Sequence, residues 1–219
     1  MLEDAEGRAE LRRLGARSIP VLSRGDEFVF AQNIAQVVGF LKLDEKTGPV
    51  LSPEQLVERL ERYIDAALRI IPQMPDDKLD TQVPNRPRAY RVLAHHMFRI
   101  PEAFVEIAGG AVFSQGLPTA VPNDADMAST AALAAYGRQV RAKVVRWWDE
   151  TPDKEAQARA ETYYGPQSLH EVLERTTWHI GQHTRQWVML LDKHGITADR
   201  PLGEADFADL PMPKQVWDD

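Results

Sequence analysis

The sequence predicts a mostly α protein: a four-helix bundle preceded by a short α-β-β-α segment. Three observations carry this. Four stretches of helix length with apolar residues at i, i+3, i+4 and i+7 fill most of residues 53–197. Capping residues open two of these stretches, and Pro or Gly closes each of the four. Residues 1–44 instead alternate short elements around a hairpin pattern.

Taken in order, Glu3–Leu14 reads as a helix, ended by Gly15 as a left-handed cap. Arg17–Leu22 is a short β-run, Ser23–Asp26 a turn, and Glu27–Phe30 a second strand. Asn33–Leu41 has helical spacing at Ile34, Val37, Val38 and Leu41. About 43 residues make a weak independent core, so this piece needs support from elsewhere. Asp44–Leu51 is a linker by composition. Ser52-Pro53-Glu54-Gln55 then opens the first bundle helix: Ser52 caps, Pro53 suits the first turn, and Gln55 completes a capping box. That helix runs to about Ile71, with Leu56, Leu60, Ile64 and Ala67 on one face, and Pro72 and Pro75 stop it. The second runs from about Pro87 to Ala108, ended by Gly109-Gly110. A loop over 111–125 leads to the third, about Met127–Glu150, closed by Pro152. A second loop covers 153–166, and Ser168-Leu169-His170-Glu171 opens the fourth helix, which runs to about His194 before Gly195. The tail carries Phe207, Leu210 and Trp217, which suit packing onto the bundle. The expected domains are residues 1–44 and residues 53–219.

Composition narrows the function classes. The chain has 219 residues, 26 Lys and Arg against 33 Asp and Glu, and a net charge of −7. An acidic chain lacks the basic face that captures nucleic acid or anionic lipid. No apolar run approaches a membrane span, and the start has no secretory-leader pattern, so a cytoplasmic location is expected. Cysteine is absent, which excludes disulfides, thiolate zinc sites and cysteine nucleophiles. Any thiol chemistry must use a thiol brought by a ligand.

The histidines carry the functional signal. His179 and His183 stand four residues apart in the fourth helix, close enough to share one ion. They are in phase with Leu169, Val172, Thr176, Trp187 and Leu190, so they face inward. In the second helix His96 shares a face with Leu93, Ile100, Ala103 and Ile107. Its neighbour His95 shares a face with Val92, Arg99 and Glu102, which puts it at a helix flank with a supporting role at most. Inward imidazoles without partners cost free energy, and a divalent metal satisfies three together. Three neutral nitrogen ligands leave open positions, as catalytic sites do. His170 and His194 lie near the ends of the fourth helix and are assigned no function; a cation at its C-terminus explains the latter.

These residues resemble the DinB-like four-helix-bundle superfamily, which includes thiol-dependent S-transferases and the mycothiol-dependent maleylpyruvate isomerase. The match rests on Leu93-Ala94-His95-His96, on His179, His183 and Gln186 in an HxxxHxxQ pattern, and on Leu210-Pro211-Met212-Pro213 with Trp217. The resemblance implies a metal triad at His96, His179 and His183, with zinc or nickel as the ion. Arg185 stands where the family often has Gly, which can alter the rim of the site. Residues 1–44 resemble the second half of a glutaredoxin in element order, without the part that holds the redox cysteines. Ser18-Ile19-Pro20 matches that fold's cis-proline segment, so Ile19-Pro20 is expected to be cis.

The leading functional expectation is metal-dependent transfer of a low-molecular-weight thiol to a small electrophilic substrate. Mycothiol, bacillithiol and glutathione are equally open, with Arg175 and Arg185 as candidate anion contacts. The alternatives are a metal-assisted hydrolase, which would want a carboxylate base, and a non-enzymatic metal-binding or interaction module. The exposed edge of the hairpin calls for cover, by a homodimer or by the bundle.

Overall fold

A computed structural model gives the fold. It describes residues 5–16, 19–31, 34–45, 47–84, 86–121 and 124–217. The start of the first helix at Glu3, Arg17 and Ser18 of the β-run, and Asn33 lie outside the described residues. The chain divides into two compact units: 1–48 with 162–166, and 49–161 with 167–219.

In the first unit, helix α1 (Ala5–Leu14) is followed by strands β1 (Val21–Arg24) and β2 (Glu27–Phe30) and by helix α2 (Ile34–Leu41). The strands are antiparallel, with Val21 opposite Phe30 and Arg24 opposite Glu27. The β-run thus sits further along than its apolar residues suggest. Gly25, at φ 64°, takes the left-handed turn position and shortens the turn to Gly25-Asp26, which releases Ser23 and Arg24 to the ladder. The Ile19-Pro20 bond is cis, as expected. Helix α1 buries no residue. Inside this unit Phe28 meets Phe30 edge-on, and the Arg24 guanidinium lies 4.9 Å from the Phe40 ring centre.

The second unit is a bundle of α3 (Pro53–Ile70), α4 (Tyr90–Ala108), α5 (Thr130–Glu150) and α6 (Leu169–Lys193). The capping box at α3 is made in full: Gln55 N–H donates to Ser52 Oγ at 3.2 Å, and Ser52 N–H donates to Gln55 Oε1 at 2.9 Å. Ser168 and Glu171 repeat it at α6. Helix α4 starts three residues later than expected, at Tyr90. Arg88 N–H turns back to the Arg86 carbonyl, and a bridge pairs Gln82 with Ala89, so the backbone there is spoken for. Pro101 sits inside α4 and removes one donor from its ladder. No strand interrupts any of the four helices. The loop before α6 does contain a two-residue antiparallel pair, β3 (Arg159–Ala160) with β4 (Gln167–Ser168), too short to show as alternation in sequence.

Each bundle helix has two main neighbours: α3 packs on α6 and α5, and α4 packs on α5 and α6. Helices α3 and α4, though consecutive, are therefore diagonal. The buried centre includes Leu56, Leu60, Tyr63, Phe98, Phe104 and Trp187, all essentially without exposure. Trp187 Nε1 donates to the Ile70 carbonyl at 3.1 Å, which satisfies the one polar atom its burial would otherwise strand. Two glycines set the approach of helices. A Cβ on Gly137 of α5 would stand 2.4 Å from Phe98 Cζ of α4, and one on Gly181 of α6 would stand 2.9 Å from Tyr63 Cε2 of α3.

The tail returns over the bundle. Phe207 lies 5.7 Å from the Tyr63 ring centre, and the Tyr63 hydroxyl donates to the Asp206 carbonyl. Arg185 donates to the carbonyls of Pro213 and Lys214, at 2.8 and 3.2 Å. Gln182 donates to those of Gln215 and Val216, and Trp217 Nε1 lies 3.0 Å from Met189 Sδ.

Candidate metal centre

Helices α4 and α6 are neighbours, and their inward histidines meet. His96, His179 and His183 each offer one ring nitrogen, and these nitrogens lie within 4.8 Å of one another. The ring centres are 4.9 Å apart for His96 and His183, 4.8 Å for His179 and His183, and 5.5 Å for His96 and His179. His96 and His183 are buried, and His179 is partly exposed. Among the described residues this is the group of three potential ligands close enough to share an ion.

Hydrogen bonds fix the tautomers. His96 Nδ1 lies 2.8 Å from the Pro118 carbonyl, which can only accept, so Nδ1 carries the proton and Nε2 keeps its lone pair. His183 Nδ1 lies 2.7 Å from Gln186 Oε1. The orientation of that amide is set from its far side, because Gln186 Nε2 donates to the Val216 carbonyl at 3.0 Å. The tail thus makes His183 an Nδ1–H tautomer, with Nε2 turned inward. That Nε2 is buried and has no hydrogen-bond partner. A buried nitrogen lone pair without a donor is costly, and a cation satisfies it. The residues present therefore fit a divalent ion.

Electrostatics agree. Burial, then the charge of Arg88, pushes the His96 imidazole down to about 4. Burial, then His96 and Arg175, pushes His179 down to about 3. His183 is lowered as well, first by burial and then by its two neighbours. All three rings are neutral at neutral pH, the state in which imidazole binds metal. In the unfolded chain each ring takes up a proton near pH 6.5. Folded, His96 does so only near 4, so between these values the unfolded state binds more protons. Metal-free protein is expected to keep this part of its stability above pH 6.5 and to lose it as the pH falls toward 4. Thermal midpoints measured from pH 7 to 4 should fall, and His179→Gln should flatten the slope between 6.5 and 5. An unchanged slope in that variant would contradict the assignment.

His96, not His95, is the α4 histidine grouped with His179 and His183, but the flank on which His95 sits is not open to solvent. His95 is as buried as His96, stacked on Tyr136 with ring centres 4.6 Å apart and planes 4° from parallel. Helix α5 covers the flank that an isolated α4 would leave open. Beside this pair lies a polar network that spacing does not show. Tyr136 Oη donates to Glu102 at 2.5 Å, Arg99 donates to Glu102 and twice to Glu106, and Lys143 donates to Glu102 at 2.5 Å. Arg99 Nε also donates to the Leu117 carbonyl at 3.0 Å, so the network pins the loop whose next carbonyl, Pro118, holds His96. His95→Ala should leave metal binding near one equivalent. Gln186→Leu should weaken it about 10- to 100-fold, the usual effect of losing a group that orients a ligand. Both are read by competition with a chromophoric chelator.

Two expected anion contacts part ways. Arg185 is spent on tail carbonyls and is not an anion contact at the site. Arg175 lies over Trp178, at 5.7 Å from the ring centre, and its charge acts on His179. Arg88, not singled out from sequence, acts on all three rings. His170 Nε2 contacts the Leu51 carbonyl at 2.8 Å. His194 follows the last turn of α6, edge-on to Tyr90, away from the triad's contacts.

No family model matches the chain, and no curated protein matches it. Among solved structures there is a likeness. The chain is similar to a DinB-like protein from Bacillus cereus ATCC 10987. The two are 19% identical, the match covers 64% of this chain and 91% of that one, and the TM-score is 0.49.

Proposed function

We propose that this chain is a metal-binding protein of the DinB-like superfamily in which His96, His179 and His183 hold one zinc or nickel ion. The observation that carries the reading is the buried, unpartnered Nε2 of His183, turned toward two further neutral imidazoles. Three protein nitrogens leave a divalent ion with room for an exogenous ligand. An ion held by these three residues would lower the pKa of a bound thiol and so supply a thiolate near neutral pH. The chain's own part is to orient two of the three ligands, His96 through Pro118 and His183 through Gln186. With no cysteine in the chain, the thiol is a low-molecular-weight cosubstrate, and the reaction is its transfer to a small electrophile. A cytoplasmic homodimer belongs to the same proposal; no helix among the described residues is long and apolar enough to cross a membrane.

The hydrolase reading has less support. Glu171 is bound to the backbone and hydroxyl of Ser168, and Glu174 takes a hydrogen bond from the Val50 backbone. Among the described residues no carboxylate joins the three imidazoles in the group that could hold an ion. A binding module without catalysis remains the outcome if metal binds and no thiol reacts.

The test is conjugation of a chromogenic electrophile with mycothiol, bacillithiol or glutathione by zinc- or nickel-loaded protein. One thiol should support turnover that chelation removes. Stoichiometric metal with no turnover by any of the three would leave the metal reading and overturn the transferase.

A further inference from the structure

The end of the tail is held to α6 by side chains that reach its backbone. Arg185 donates to the Pro213 and Lys214 carbonyls at 2.8 and 3.2 Å. Gln182 donates to the Gln215 and Val216 carbonyls at 3.1 and 2.7 Å, and Gln186 donates to Val216 as well, at 3.0 Å. The Val216 carbonyl thus accepts two amides, which occupies both of its lone pairs. Arg185 also donates to Gln182 Oε1 at 3.0 Å, so the guanidinium orients the amide that shares Val216 with Gln186. Trp217 closes the run on Met189, with Nε1 3.0 Å from Sδ. Gln182 and Gln186 are both buried, and a buried amide that loses its acceptor is costly.

Gln186 has two ends. Its Nε2 meets Val216, and its Oε1 meets His183 Nδ1 at 2.7 Å. With Val216 in place the amide cannot turn over, because Oε1 would then face a carbonyl and two acceptors would oppose each other. With the tail lifted, that constraint is gone. Gln186 can then present its Nε2 hydrogens to His183 Nδ1, which moves the ring proton to the other nitrogen. That other nitrogen is the buried His183 Nε2 without a hydrogen-bond partner. Carrying a proton, it has no lone pair for a metal. A seated tail and a bound ion therefore favour the same tautomer. Two events that favour one state are coupled, and the coupling is reciprocal.

Resting on the metal reading above, we propose that residues 213–217 are a strap that sets the affinity of the three-histidine site through Gln186, and that an ion in the site holds the strap down in return. Arg185 and Trp217 are then positioning residues for His183, acting through the strap and the Gln186 amide.

The experiment is a double-variant cycle on the full chain, read as zinc affinity by competition with a chromophoric chelator. Arg185→Ala loosens the strap from the helix side, and Trp217→Ala loosens it from the tail side. Each should weaken zinc binding about 5-fold or more. In a Gln186→Leu background each should change it by less than about 2-fold, because the link is already cut. A strap that only stabilises the fold would give equal losses in both backgrounds, or lower the thermal midpoint and leave zinc affinity alone. The reciprocal arm uses the wild type. A serine carboxypeptidase, which needs no metal, should remove Trp217 about 5-fold more slowly in saturating zinc than in chelator, and Gln186→Leu should abolish this protection. Should a strap variant fail to fold, trimming of the wild type decides. Failure of the wild type to bind zinc would overturn the metal reading and this inference together. Zinc bound with unchanged affinity in both strap variants, equal losses in the Gln186→Leu background, or no protection of Trp217 by zinc would overturn this inference alone.

Discussion

His183→Ala reduces bound divalent metal from about one equivalent to less than about a tenth, and the zinc-dependent rise in thermal midpoint disappears with it. His183 is central because its Nε2 has nowhere else to turn: it is buried, its other nitrogen is committed to Gln186, and its ring lies within 5 Å, centre to centre, of both other rings. A ligand present at 100 times its dissociation constant stabilises the folded state by about 2.7 kcal/mol, so the lost shift is well within calorimetric reach. The variant is not expected to unfold. It removes a neutral ring that carries an unsatisfied atom, and the buried residues within one turn of it on α6, Ile180 and Trp187, remain. Metal binding that survives in His183→Ala would mean that the imidazole cluster is a polar island in the core and nothing more.

Gly137→Ala lowers stability by about 1–3 kcal/mol, the range for forcing an extra methyl into a filled core. The new Cβ would fall 2.4 to 2.7 Å from three atoms of the Phe98 ring. Phe98 cannot swing clear, since it is fully buried and edge-on to Tyr136 at 6.2 Å. For a domain of this size each kcal/mol moves the midpoint by about 2–4 °C. Phe98 follows His96 by two residues on α4, so the displaced helix should also weaken metal binding. Pairing the change with Phe98→Leu should restore most of both losses. A destabilisation that persists in the double variant would show that the contact between α4 and α5 is not what the glycine serves.

Helix content and the inward triad were legible because both rest on the 3.6-residue period. His179 and His183 recur with Leu169, Val172, Thr176, Trp187 and Leu190, and every one of these apolar partners is buried. Capping residues marked the starts of α3 and α6 for the same local reason. What escaped the sequence depends on groups far apart in the chain. The burial of His95 needs α5 beside it, and the diagonal placement of α3 and α4 leaves no trace in either helix. Gly137 reads as an unremarkable helical glycine until Phe98 is set against it. Arg88 sits in a Pro- and Arg-rich run, Pro84 to Arg91, that looks like a solvated loop. Only the fold shows that its charge reaches three imidazoles. Arg185 failed as an anion contact for the opposite reason: the tail that occupies it lies nearly 30 residues further along.

In the proposed site three imidazoles hold one ion with a place left open. The most direct measurement is the zinc K-edge absorption spectrum of protein loaded with one equivalent of zinc. Three imidazole nitrogens at about 2.0–2.1 Å and one exchangeable oxygen ligand are expected, with a sulfur at about 2.3 Å replacing the oxygen when thiol is added. A spectrum with four protein ligands and no exchange, or protein that cannot be loaded at all, would contradict it.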